Sequence, residues 1–205
     1  MARRLRERPT SAAIDTANGK LLVVTTKLAD SGSTPALFRC NLDGSACTYT
    51  DLSAGPVAVG GSALIDAASG KLLVVTVTGT NAVGSPRKPA LLRCNLDGSA
   101  CTYADISAGQ IVGSGSTSSA VIDAASAKLL VVAATGNGLN GYKSGLFRCN
   151  LDGSACTYAD ISAGQGAHSG TYPSAVIDAA NGTLLVATDN AANSDRPALV
   201  NVCLP

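Results

Sequence analysis

The chain has 205 residues, long enough for a domain with a real core. A net charge of +1 and only 14% charged residues remove any electrostatic case for nucleic acid. No apolar run reaches the roughly 18 residues of a membrane span, and the basic N-terminus lacks the apolar stretch of a secretory signal.

The charged run MARRLRERPT, residues 1–10, reads as a flexible leader. From Ser11 the chain repeats itself. SAAIDTANGKLLVVTT starts at Ser11, SALIDAASGKLLVVTV at Ser62, SAVIDAASAKLLVVAA at Ser119 and SAVIDAANGTLLVATD at Ser174, at spacings of 51, 57 and 55 residues. The first three continue into RCNLDGSACTY, identical each time, beginning at Arg39, Arg93 and Arg148. The fourth ends in PALVNVCLP without that segment. The units are therefore 11–61, 62–118, 119–173 and a partial 174–205, together one repeat region over 11–205.

Each full unit predicts four strands. The first is S-A-x-I-D, closed by turn residues such as TANG or AASG. The second is KLLVVT, an apolar run of the kind buried on both faces. A variable Gly/Asn/Ser/Pro loop leads to the third strand around ALFRCN. The Asp-Gly turn then leads to the fourth, CTYADIS. No 3.6-residue periodicity is present, so helical repeats are excluded. Short, evenly spaced strands in a four-stranded unit of about 50 residues predict an all-β fold, a β-propeller of four-stranded antiparallel blades, about four per chain.

The cysteines sit on the Asp-Gly hairpin. With a two-residue loop, Cys40 faces Cys47; with a bulge at Gly44, the two become diagonal neighbours. In both registers they lie on adjoining strands, which predicts Cys40–Cys47, Cys94–Cys101 and Cys149–Cys156 disulfides ahead of zinc. Disulfides imply an oxidising compartment, extracellular or periplasmic. Cys203 has no partner in its own unit.

The pattern RCNLDGSACTYADIS…PSAVIDAANGTLLVAT resembles the repeat of YWTD-type β-propellers, as in low-density lipoprotein receptors. NHL-type propellers share its outline. The resemblance runs over nearly the whole chain after Thr10. It implies the propeller fold, although L-V-V-T stands in place of the YWTD signature and the family usually closes six blades.

In an antiparallel up-and-down blade, the near-identical turns share one end and the variable loops share the other. That second end carries Arg87, Lys88, Tyr142, Lys143, His168, Tyr172, Asp195 and Arg196, the candidate ligand-binding residues. The turn residues Asp43, Asp97 and Asp152, and the strand-ending Asp15, Asp66, Asp123 and Asp178, are expected to form turns. One aspartate per turn is too few for calcium, so no metal and no cofactor are expected. With a single His, a single Glu and no G-x-S-x-G or HExxH motif, the chain is expected not to be an enzyme. The expected function is an extracellular binding domain for a glycan or protein. The alternative is a structural protein that self-assembles into a larger ring or filament through its incomplete fourth blade.

Overall fold

The computed structural model describes residues 8–29, 32–52, 54–55, 57–59, 61–78, 87–112, 118–136, 142–162, 173–190 and 196–204. Among the described residues the strands form four antiparallel sheets. The first holds β1 (Arg8–Asp15), β2 (Lys20–Ala29), β3 (Gly32–Asn41) and β4 (Thr48–Asp51) in sequence order. The second holds β5 (Val57–Val59), β6 (Ala63–Asp66), β7 (Lys71–Thr78), β8 (Lys88–Asn95) and β9 (Thr102–Asp105). The third holds β10 (Ser118–Asp123), β11 (Lys128–Thr135), β12 (Lys143–Asn150) and β13 (Thr157–Asp160). The fourth holds β14 (Ser174–Asp178), β15 (Thr183–Asn190) and β16 (Arg196–Cys203).

Strand boundaries differ from the reading of the repeat at several places, one of them KLADSGSTP, which reads as a loop although β2 runs on to Ala29 and β3 begins at Gly32. β1 begins at Arg8, ahead of Ser11, with a register shift between Pro9 and Ser11. Pro9 is tolerated because β1 is an edge strand, where no ladder donor is needed on its outer side. β5 lies inside AGPVAVGG, which reads as a loop. It pairs with β7 beyond β6, so the first strand of the second sheet is built in two pieces. The flanking glycines and proline conceal a short β-prone Val-Ala-Val run. Val112 repeats the device in the third sheet through an isolated bridge to Thr135.

The NLDGS hairpin combines two irregularities. Asn41 N–H donates to Ser45 O at 2.8 Å and Gly44 N–H to Asn41 O at 2.9 Å, with Gly44 at φ 82°. This is a three-residue loop with a glycine bulge, which by itself would displace the cysteines. Ala46 then adopts φ 49° and adds one more residue to the returning strand. Beyond it Arg39 pairs with Thr48, so Cys40 and Cys47 end up opposite each other with Cα atoms 4.0 Å apart and joined as a disulfide. Cys94–Cys101 and Cys149–Cys156 are formed in the same way, with Ala100 at φ 49° and Ala155 at φ 50°.

The chain divides into two compact units, 1–82 with 90–104, and 83–89 with 105–205. In the first unit, Leu22, Val24, Leu37 and Leu52 of the first sheet pack on Ala63, Leu72, Val74, Leu92 and Cys94 of the second. In the second unit, Leu130, Val132, Leu146 and Ile161 of the third sheet pack on Leu184 and Val186 of the fourth, with Ala175, Ile177, Val200 and Val202 alongside. The two interfaces use equivalent repeat positions. Each fully buried leucine contributes about 2 kcal/mol, so small β-branched and leucine side chains suffice without tryptophan. The close approach is visible at Gly98, where a Cβ would meet Thr50 Cγ2 at 3.0 Å.

Candidate functional site

The two ends of each full sheet differ in chemistry. At one end the two turns are tied together. Lys20 Nζ donates to Asn41 Oδ1 at 2.6 Å, Asn41 Nδ2 donates to Ser45 Oγ at 3.0 Å, and Ser45 Oγ donates to Asp43 Oδ1 at 2.6 Å. Lys71, Asn95, Ser99 and Asp97 repeat this chain, as do Lys128, Asn150, Ser154 and Asp152. The strand-ending aspartates close the other turn. Asp15 accepts from Asn18 Nδ2 at 2.8 Å and Asp178 from Asn181 Nδ2 at 2.7 Å, while Asp66 and Asp123 accept from Ser69 and Ser126. The Ser45 hydroxyl and N–H hold the Asp43 carboxyl below its usual range, and Ser99 does the same for Asp97. These carboxylates are occupied in building turns. Among the described residues no group of three His, Cys, Asp or Glu side chains could hold a metal ion.

The opposite end carries a polar strip. Within the second unit, Arg87 bridges to Val112, Val112 to Thr135, and Thr135 to Lys143. Three steps of about 4.8 Å place Arg87 and Lys143 roughly 14 Å apart on one hydrogen-bonded ladder. Val112 N–H donates to Arg87 O at 2.8 Å, and Thr135 Oγ1 to Lys143 O at 3.2 Å. Thr135 Oγ1 also shares a hydrogen bond of 2.9 Å with Tyr158 OH. Along this strip the lysines are matched by carboxylates: Lys88 meets Asp105 at 3.3 Å and Lys143 meets Asp160 at 3.1 Å. Burial works to raise both carboxyl pKa values. Hydrogen bonds from Ser107 and Ser162, and then the lysines, prevail and hold them low.

The first sheet reaches the same pairing differently. Thr34 stands where Lys88 and Lys143 stand, and Lys27 on the neighbouring β2 reaches Asp51 at 3.1 Å. Lys27 also lies 5.9 Å above the Tyr49 ring, and Tyr49 OH donates to Asp51 Oδ1 at 2.6 Å. The bond to Asp51, and then the nearby Tyr49, raise the Lys27 pKa; the Tyr49 hydroxyl and then Lys27 lower that of Asp51.

Of the sequence candidates, the structure aligns Arg87 and Lys143 on one ladder, with Lys88 and Tyr142 their chain neighbours. Arg87 and Tyr142 are half-buried, and Lys88 and Lys143 are exposed. Arg196 opens β16 opposite Asn190. His168, Tyr172 and Asp195 lie outside the described residues. The reading of the sequence missed Lys27, Asp51, Asp105 and Asp160. The signal was present, because an Asp follows every C-T-Y at the same spacing.

No protein-family model matches the chain, and no curated protein matches it in sequence. Solved structures do match. A chain of a nidogen/laminin complex aligns at TM-score 0.55 and 13% identity, over 93% of this chain and 64% of that one. The catalytic domain of a Coprinopsis cinerea GH62 α-L-arabinofuranosidase aligns at TM-score 0.59 and 11% identity, over 97% and 65%. The Podospora anserina α-L-arabinofuranosidase PaAbf62A, in complex with cellotriose, aligns at TM-score 0.55 and 11% identity, over 94% and 62%. This chain thus spans under two thirds of each of those chains. With the four sheets, these likenesses show the fold to be a β-propeller. They also correct the expectation that the chain is not an enzyme, because the same fold serves as the catalytic domain of an arabinofuranosidase. Counting His and Glu was too narrow a test, since glycoside cleavage can run on aspartates.

Proposed function

We propose that this chain is an extracellular β-propeller domain that recognises a glycan through the variable-loop end of its sheets. The observation that supports this reading is the Arg87–Val112–Thr135–Lys143 line of paired backbone, with Lys88 and Tyr142 next to its two ends in the chain. The lysines there are neutralised by Asp105 and Asp160, so the strip suits a neutral ligand that exchanges hydrogen bonds. The half-buried Tyr142 is proposed to border the sugar. The three disulfides support an oxidising compartment. The NLDGS turn between third and fourth strands supports placing the chain among the YWTD/NHL-like propellers.

A protein ligand at the same end is the second reading, favoured by the likeness to the nidogen/laminin chain. His168, Tyr172, Asp195 and Arg196 are proposed to belong to the same surface. A glycan panel probed with wild type and with Tyr142→Ala and Arg87→Ala tests the proposal. Glycan binding weakened at least tenfold by either substitution supports it. Binding that ignores both, or binding only to a protein, overturns the glycan assignment.

A further inference from the structure

The two sheet packings within the chain use two complementary faces. One face carries Leu22, Val24 and Leu37 in the first sheet, and Leu130, Val132 and Leu146 in the third. It packs on a second kind of face, which carries Leu72, Val74 and Leu92 in the second sheet, and Leu184, Val186 and Val200 in the fourth. The repeat register thus defines a donor face and an acceptor face on every sheet.

Among the described residues, one face of each kind is left uncovered. On the fourth sheet the donor face is Val176, Leu185, Ala187 and Leu199, as read from their ladder pairing. Leu199 is 65% exposed, whereas its equivalents Leu37, Leu91 and Leu146 are at most 7% exposed. Val176 is 58% exposed. On the first sheet the acceptor face is Ile14, Leu21, Val23, Phe38 and Tyr49. Ile14 is 57% exposed, and Leu21 and Val23 are half-buried where Leu72, Val74, Leu129 and Val131 are buried. The same register puts Asp189 at the edge of the donor face and the Lys27–Asp51 pair at the edge of the acceptor face beside Tyr49. The rest of each face is a contiguous apolar patch of a kind uncommon on a free surface.

We propose that a second copy of this chain docks head to tail, laying the donor face of its fourth sheet on the acceptor face of the first sheet. The contact continues the interface already formed twice inside the chain, so its shape and residue types are those the repeat is built to satisfy. It is heterologous: the two partners contribute different surfaces, and each copy retains one face for a further copy.

The test is sedimentation at low micromolar concentration of wild type, Ile14→Asp, Leu199→Asp and an equimolar mixture of the two variants. Wild type is expected at twice the chain mass or more, and each variant alone at the chain mass. The mixture is expected to give a two-chain species and nothing larger, because only one intact face of each kind remains. Circular dichroism and disulfide content check that the variants are folded, and Val176→Asp replaces Leu199→Asp if that variant is not. A monomeric wild type overturns the proposal, including the case where the faces meet within one chain. So do variants that still assemble alone, or a mixture that remains monomeric.

Discussion

Lys71 Nζ donates to Asn95 Oδ1 across 2.6 Å and so joins the two turns at one end of the second sheet. Asn95 Nδ2 passes the contact on to Ser99 Oγ at 2.9 Å, and Ser99 Oγ to Asp97 Oδ1 at 2.6 Å. Asn95→Ala removes the central link. A loss of about 1–2 kcal/mol is expected, read from urea unfolding under non-reducing conditions. An unchanged midpoint would show that water replaces the link at no cost.

Cysteine accounting gives a second prediction. The chain has seven cysteines, of which six form three disulfides and Cys203 is free and exposed. Native protein is expected to titrate one thiol per chain, and reduced, denatured protein seven. Replacing Cys94 and Cys101 together by Ala should cost about 2.5 kcal/mol on the loop-entropy relation. More than one reactive thiol in native protein refutes the pairing.

Gly145 sits where even a methyl group is crowded. A Cβ there would meet Thr135 Cγ2 and Tyr158 Cε2, each at 2.6 Å. The equivalent positions in the first and second sheets are Ala36 and Ala90. In the first sheet Tyr49 bonds instead to Asp51 and is 42% exposed. Gly145→Ala should cost about 1–3 kcal/mol by overpacking, measured by thermal or urea unfolding, with loss of the Thr135–Tyr158 hydrogen bond.

Acid should weaken the fold through carboxylates such as Asp123. The Ser126 hydroxyl, above all, holds the buried Asp123 below the ordinary value of 3.8. A depressed folded pKa contributes stability above the unfolded value, and that stability is lost as pH falls through the folded one. Ser126→Ala should therefore be less stable than wild type at neutral pH. The two should converge as pH falls through the lowered folded value of Asp123, below which its carboxyl is protonated in both proteins. A gap that persists unchanged in acid would assign the loss to packing.

Much of this was readable beforehand because the repeat states its own register. KLLVV marks the second strand of each repeat's sheet in the three full units, and the cysteine spacing marks the hairpin. The path between them was not readable. Ala46 at φ 49° carries no signature, because alanine is the common helix former and left-handed alanine is costly. The polar strip was half-legible. Lys88 and Lys143 stand out as charges in variable segments, but Asp105 and Asp160 become their partners only once strands β8 and β9, or β12 and β13, are laid side by side. Lys27 replaces them from a different strand, which linear comparison of the repeats cannot reveal.

The hairpin disulfides also bear on how the chain acquires its covalent structure. Six cysteines can pair in many ways, and identical flanking sequences give a scanning oxidant nothing to tell one copy from another. Distance along the chain does. Each native partner is only 7 residues away, and loops of about ten residues close within roughly 10–100 ns. Contact between copies must close loops several times longer. Each bond can therefore form on its own hairpin before any sheet has found its neighbour, and oxidation proceeds as three local events with little need for reshuffling.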